Sequence, residues 1–213
     1  MFVLEVLYPV LATAAAYLLG SLSFAVIVSR MMGLQDPRTF GSKNPGATNV
    51  LRSGSQKAAI VTLLFDILKG WLPVVLVRWY GAAYGLEEGT QALVALAAFV
   101  GHLWPVFFRF VGGKGVATAI GVLFGIHLGL GVAAGLTWII IAFFFRYSSL
   151  ASLVMAVFAP AYYLFGHRVA WLAETPVTLA LVVVCGLLIY RHRENMGRLM
   201  AGKESKLGRG KTA

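Results

Sequence analysis

With 213 residues, 59% of them hydrophobic and 12% charged, the chain is not an ordinary soluble domain, in which about 25% of residues carry charge. A single cysteine, Cys185, inside an apolar run excludes a disulfide framework and reads as a buried, inert thiol. The net charge of +10 does not point to nucleic acid, because Lys and Arg sit between long apolar runs, where their sidedness across a membrane is the informative quantity.

Seven apolar segments are expected, at roughly 3–28, 58–78, 92–110, 116–128, 132–145, 150–166 and 175–190. The first is too long for a signal peptide and has no basic stretch before it, so it reads as a retained helix. It leads to the first polar stretch, Phe40-Gly-Ser-Lys-Asn-Pro-Gly-Ala-Thr-Asn-Val-Leu-Arg52. Ser42, Lys43, Asn44, Thr48, Asn49 and Arg52 surround two glycines and a proline. Small hydroxyl and amide donors beside a guanidinium suit a phosphate, although the same residues also make a solvated turn-rich loop. The second segment carries Asp66 and Lys69 three residues apart, which either pair on one face or support a site.

The third segment runs into the second polar stretch, where Gly112-Gly113-Lys114-Gly115 opens directly on an apolar run. Glycines let successive N–H groups converge on an anion, and the following helix N-terminus and Lys114 add positive charge. A plain glycine-rich turn with an interfacial lysine is the alternative. The loop is not a nucleotide-binding P-loop, because Phe108 and Gly115 stand where that pattern needs Gly and Ser or Thr. Residues 116–145 hold no charge and would make one helix of about 45 Å, longer than the ~30 Å apolar core. Glycines at 125, 129, 131 and 135 favour two short helices with a turn around 127–131, one long tilted helix being the alternative. Arg146 follows. The last segment ends in Tyr190-Arg-His-Arg-Glu-Asn-Met-Gly-Arg198, either an ordinary basic flank or part of a site. If that helix continues, His192 and Asn195 share a face, and His192 is the candidate general base. Residues 203–213 read as a frayed basic tail.

Alternating crossings put fifteen basic residues, from Arg30 to Lys211, on one side and only Arg78 and Arg168 on the other. The positive-inside rule then places the N-terminus outside and the C-terminus in the cytoplasm, with all three polar stretches on the cytoplasmic face. The expected fold is all-α: one integral membrane domain over residues 1–213, a polytopic transmembrane helical bundle of about seven spanning helices, some short. No Cys/His pattern for zinc, no Gly-x-Ser-x-Gly elbow and no Gly-x-Gly-x-x-Gly is present, nor the His-x4-Asp signature of acyl-CoA-dependent glycerolipid acyltransferases. No metal or cofactor is expected.

Together, Gly20-Ser21, the 41–52 stretch, Asp66-Ile-Leu-Lys-Gly70, Gly101-His102 through Gly112-Gly-Lys-Gly-Val-Ala-Thr118 and Arg191-His-Arg-Glu-Asn195 resemble the bacterial acyl-phosphate:glycerol-3-phosphate acyltransferase family, of PlsY type. The match runs from about residue 15 to 208. One departure is Lys43, where a small residue, often glycine, is expected. The resemblance implies acyl transfer from acyl phosphate to the sn-1 hydroxyl of glycerol 3-phosphate, giving lysophosphatidic acid and phosphate, in a bacterial inner membrane. It implies catalytic roles for Ser42, Arg52, His192 and Asn195. It also implies phosphate binding by the loop of Gly112, Gly113, Lys114 and Gly115, and supporting roles for Asp66, Lys69, His102 and Glu194, the last tied to structural integrity. Substrates and membrane lipids are the expected partners, with no nucleic acid and no obligate protein. Rival readings are a transporter for phosphorylated solutes and a non-catalytic subunit with a lipid-binding face.

Overall fold

The computed structural model describes residues 2–208 and, from residue 6, their side chains. Among the described residues ten α-helices follow one another: α1 (Phe2–Gly20), α2 (Phe24–Met31), α3 (Ala47–Leu51), α4 (Gln56–Tyr80), α5 (Glu88–Leu103), α6 (Val116–Ile126), α7 (Leu128–Phe145), α8 (Ser148–Phe165), α9 (Thr175–Arg191) and α10 (Arg193–Met200). Among the described residues there is no strand, only an isolated bridge between His167 and Trp171. By length and apolarity, the helical stretches Gln56–Tyr84 (from α4), Glu88–Phe108 (from α5), α7 and α8 can each cross a membrane, and the bent pairs α1–α2 (45°) and α9–α10 (54°) raise the number to six. The remaining apolar helix, α6, has 11 residues.

Every expected segment is helical, but four boundaries differ for physical reasons. The first is broken at Ser21, Leu22 and Ser23. The third stops at Leu103, not 110, because Pro105 cannot continue a helix and biases Trp104 away from helical geometry, here φ −133° and ψ 71°. The long run 116–145 is indeed divided, yet at the single extended residue His127, whose Nδ1 accepts the N–H of Gly129 and caps α7. The last segment does not continue past His192, which ends α9 before α10 starts in a new direction.

The helices approach closely through small residues, as expected where apolar lipid gives no hydrophobic drive to association. A side chain on Gly121 of α6 would strike the Ile67 carbonyl of α4, and one on Gly20 would strike the Ala98 carbonyl of α5. On α7, Val132, Leu136, Ile139, Ile140 and Phe143 form an exposed apolar stripe at helical spacing, suited to lipid.

The break between α1 and α2 explains the buried charges. A helix end leaves carbonyls without intrahelical donors, and Lys69 Nζ donates to Leu22 O at 2.7 Å. The same ammonium lies 2.8 Å from Asp66, each residue only 2% exposed. His102 Nδ1 is 3.7 Å from the Asp66 carboxylate and 3.1 Å from Thr118 Oγ1. Both readings of the Asp66–Lys69 pair therefore meet in one network: the ions pair, and through His102 they reach the glycine-rich loop.

Candidate active site

The loop 41–52 is organised by Asn49. Its Oδ1 accepts the Ser42 N–H at 3.0 Å, and its Nδ2 donates to the carbonyls of Pro37 (2.7 Å) and Phe40 (3.2 Å). Asn49 is 1% exposed, so its amide is spent inside the loop and does not face a ligand. Ser42 is exposed beside it, and Asn44 and Thr48 are half-buried. The backbone is left-handed at both Gly41 (φ 58°) and Lys43 (φ 55°). That is why glycine suits position 43: a side chain there costs about 1–2 kcal/mol. The lysine extends outward at the rim.

The glycine-rich loop lies against α5. Side chains on Gly112 would strike the carbonyls of His102 and Leu103, and one on Gly113 would strike the His102 ring. Gly113 N donates to His102 O at 3.2 Å. From α9, Arg191 donates Nε to Gly113 O (3.1 Å) and Nη2 to Gly112 O (2.9 Å). With these carbonyls held from behind, Gly115 (φ 83°) turns the chain into α6. Among the described residues no acceptor takes the N–H groups of Lys114, Val116, Ala117 or Thr118, which remain available to an anion at the helix N-terminus.

Lys114 Nζ donates to Asn195 Oδ1. Asn195 Nδ2 in turn donates to Glu204 at 2.6 Å, and the same carboxylate accepts from Ser149 Oγ (2.8 Å) and Arg198 Nε (2.8 Å). Burial works against ionisation of Glu204, but these three bonds hold its pKa below the usual value. Burial pushes Lys114 down to about 8, opposed by the Glu204 charge. His192 is 2% exposed, and Nδ1 lies 2.8 Å from the Leu188 carbonyl. A carbonyl only accepts, so Nδ1 carries the proton and Nε2 keeps its lone pair in the neutral ring. Burial brings its pKa down to about 4; the bond to Leu188 opposes this and the nearby Lys114 charge adds to it.

The three polar stretches meet. A side chain on Gly113 would also touch the Pro45 carbonyl, placing the first loop on the second. The closing piece is the segment after α10. Arg52 Nη2 donates to Ser205 Oγ at 2.7 Å. Leu207 N donates to Arg146 O at 2.7 Å, while Arg146 Nη2 donates to Leu207 O at 3.1 Å. Residues 203–208 are thus a strap across the site, not the loose tail expected from 203 onward; residues 209–213 lie outside the described part. The local pattern is basic and small, and only contacts distant in sequence fix it.

Two further differences concern acids. Glu194 points to solvent, 4.0 Å from Arg198 with a side chain 76% exposed, and is not brought into the site. The carboxylate that is built in is Glu204, the one acid in the basic stretch after Arg198. That isolation was the available signal. Ser149, Arg191, Arg198 and Ser205 are likewise part of the site without having been singled out. Among the described residues no group of three or more His, Cys, Asp or Glu is arranged to hold a metal.

The glycerol-3-phosphate acyltransferase family pattern matches residues 10–202. A glycerol-3-phosphate acyltransferase of Albidiferax ferrireducens is 67% identical over 202 residues, covering 95% of this chain and 90% of that one. The enzyme of the same description from Bordetella petrii is 62% identical, covering 92% and 91%. Among solved structures, PlsY, an integral membrane glycerol 3-phosphate acyltransferase, superposes in its glycerol 3-phosphate form with a TM-score of 0.84. Its sequence identity is 36%, over 94% of this chain and 96% of that one.

Proposed function

This chain belongs to the glycerol-3-phosphate acyltransferase family and acylates glycerol 3-phosphate; from that premise we propose that the donor is an acyl phosphate and the acceptor the sn-1 hydroxyl, giving 1-acylglycerol 3-phosphate and inorganic phosphate. One observation carries this reading. Among the described residues, Arg52, Lys114, Arg146 and Arg191 direct their hydrogen bonds at neutral oxygens only. Cations gathered with so few counter-ions favour anionic ligands, and a reaction between two phosphate-bearing substrates supplies two.

Acyl phosphate is a mixed anhydride with a good leaving group, so no enzyme nucleophile is needed. The sn-1 oxygen attacks the acyl carbonyl carbon, the carbon–oxygen bond to phosphate breaks, and the electron pair leaves with phosphate. The protein's tasks are to align two anions, offset their repulsion and stabilise the oxyanion. Lys114, Arg52 and the free N–H groups at the start of α6 hold phosphate. Ser42 and Asn195 orient substrate or oxyanion. The hydroxyl proton goes to His192 Nε2 or to a substrate phosphate oxygen. In the free site His192 is a weak base, and two bound phosphates raise its pKa, so it gains basicity when substrates are in place.

The charge asymmetry supports seven crossings, with the N-terminus outside and the site facing the cytoplasm of a bacterial inner membrane. The test is purified protein with glycerol 3-phosphate and either palmitoyl phosphate or palmitoyl-CoA, without metal. Lysophosphatidate from the phosphate donor alone is expected. Product from the CoA donor alone overturns the donor assignment, and a trapped acyl-Ser42 adduct overturns direct transfer.

A further inference from the structure

The segment between α5 and the glycine-rich loop has no part in the roles above. It is a closed knuckle: Phe108 N and Phe110 N both donate to Pro105 O, at 3.1 and 3.0 Å, and Val111 N donates to Phe108 O at 3.1 Å. Tyr17 Oη fixes its root by donating to Trp104 O at 2.9 Å, and the Arg38 guanidinium covers Phe108 at 6.0 Å. Arg109 and Phe110 are consecutive non-glycine residues in the left-handed region, φ 54° and 58°. Such a conformation persists only where the surroundings impose it, and it is a legitimate pointer to function. Here it accompanies outward side chains: Phe107, Phe110 and Val111 are 56%, 57% and 54% exposed. The paired N–H groups of Phe108, Phe110 and Val111 behind an apolar surface suit this irregular segment to contact with hydrocarbon.

Its position decides what that hydrocarbon is. Val111 is bonded to Gly112, and Phe110 lies within about 14 Å of Lys114 along the chain. A donor held by its phosphate at the loop of Gly112, Gly113, Lys114 and Gly115 has its long tail within reach of this surface. We propose that Phe107, Phe110 and Val111 form the acyl-chain rail of the site, along which a long-chain donor enters from the inner leaflet and against which its length is read. The inference rests on the proposed acyl-phosphate donor and adds the residues that select among such donors.

The test compares palmitoyl phosphate with octanoyl phosphate in the double variant Phe107→Ser/Phe110→Ser and in Phe107→Leu/Phe110→Leu. Losing two apolar contacts is expected to lower kcat/KM for the long donor about 10-fold. The short donor and the KM for glycerol 3-phosphate should change less than about 2-fold, and the leucine pair should restore most of the loss. Equal losses for both donors, or none, overturn the rail. A second measurement does not need turnover: hexadecyl phosphate carrying a mid-chain diazirine is photolysed on the wild-type protein. Adducts on residues 106–111 are expected, and adducts confined to other segments overturn the proposal. Wild-type protein that turns over neither acyl phosphate would sink the donor assignment, while the crosslink map would still decide the rail.

Discussion

Two polar clusters sit back to back across His102 and the glycine-rich loop, and they handle charge in opposite ways. The inner one is closed: Lys69 answers Asp66 and the Leu22 carbonyl, and His102 lies between Asp66 and Thr118, with all four of these side chains buried. The outer one is open: Arg52, Lys114, Arg146 and Arg191 lean on hydroxyl, amide and carbonyl oxygens, and among the described residues Glu204 is the one carboxylate built in among them. Burying an ion pair gives little net stability, because desolvation offsets the attraction, but removing one partner is costly. The inner cluster should therefore be read in stability and the outer one in activity.

The largest expected effect tests the inner side. Lys69→Ala leaves Asp66 and the Leu22 carbonyl without their donor and should lower stability by about 3–5 kcal/mol, measured as thermal unfolding in detergent. The paired replacement Asp66→Leu/Lys69→Met should recover much of it. Next, Lys114→Ala should lower kcat/KM by about 10²–10³-fold while the melting temperature stays near wild type. If the two lysines exchange these phenotypes, the division between clusters is wrong.

How much of this division is legible in the sequence depends on the range of the contacts. Hydropathy alone marks the apolar segments, and the glycine cluster signals that 116–145 is divided, although the break itself falls at His127. The polar stretches can be read because Ser42, Arg52, Lys114, His192 and Asn195 lie between apolar runs that force them to one face. The break at Ser21, Leu22 and Ser23 is invisible in the sequence, because the proline and the acid of that run, Pro9 and Glu5, lie near its start, and its partner Lys69 is 47 residues away. The strap is hidden for the same reason, since Ser205 meets Arg52 across 153 residues. The site's built-in acid is Glu204, not the nearer Glu194, because a bend at His192 turns α10 and leaves Glu194 in solvent.

Titration sharpens the outer side. The proposed phosphate contact requires a charged Lys114, and burial brings its pKa down to about 8 in the free site. Values of kcat/KM, which report the free enzyme, should hold below that pH and fall as pH rises through it. Lys114→Arg should abolish that limb, and bound phosphate should move it upward in kcat. His192→Ala should lower kcat far more than it raises KM; the reverse pattern assigns His192 to binding. The smallest effect is Lys43→Gly, which relieves left-handed backbone strain and should raise stability by about 1 kcal/mol with little change in rate.

The claim beneath the comparison is that the open cluster holds two phosphates at once. Calorimetric titration of glycerol 3-phosphate into protein saturated with hexadecyl phosphate tests it most directly. The account predicts a ternary complex in which glycerol 3-phosphate still binds, and weakened binding of both ligands in Lys114→Ala. Mutually exclusive binding of the two ligands to wild-type protein would contradict it.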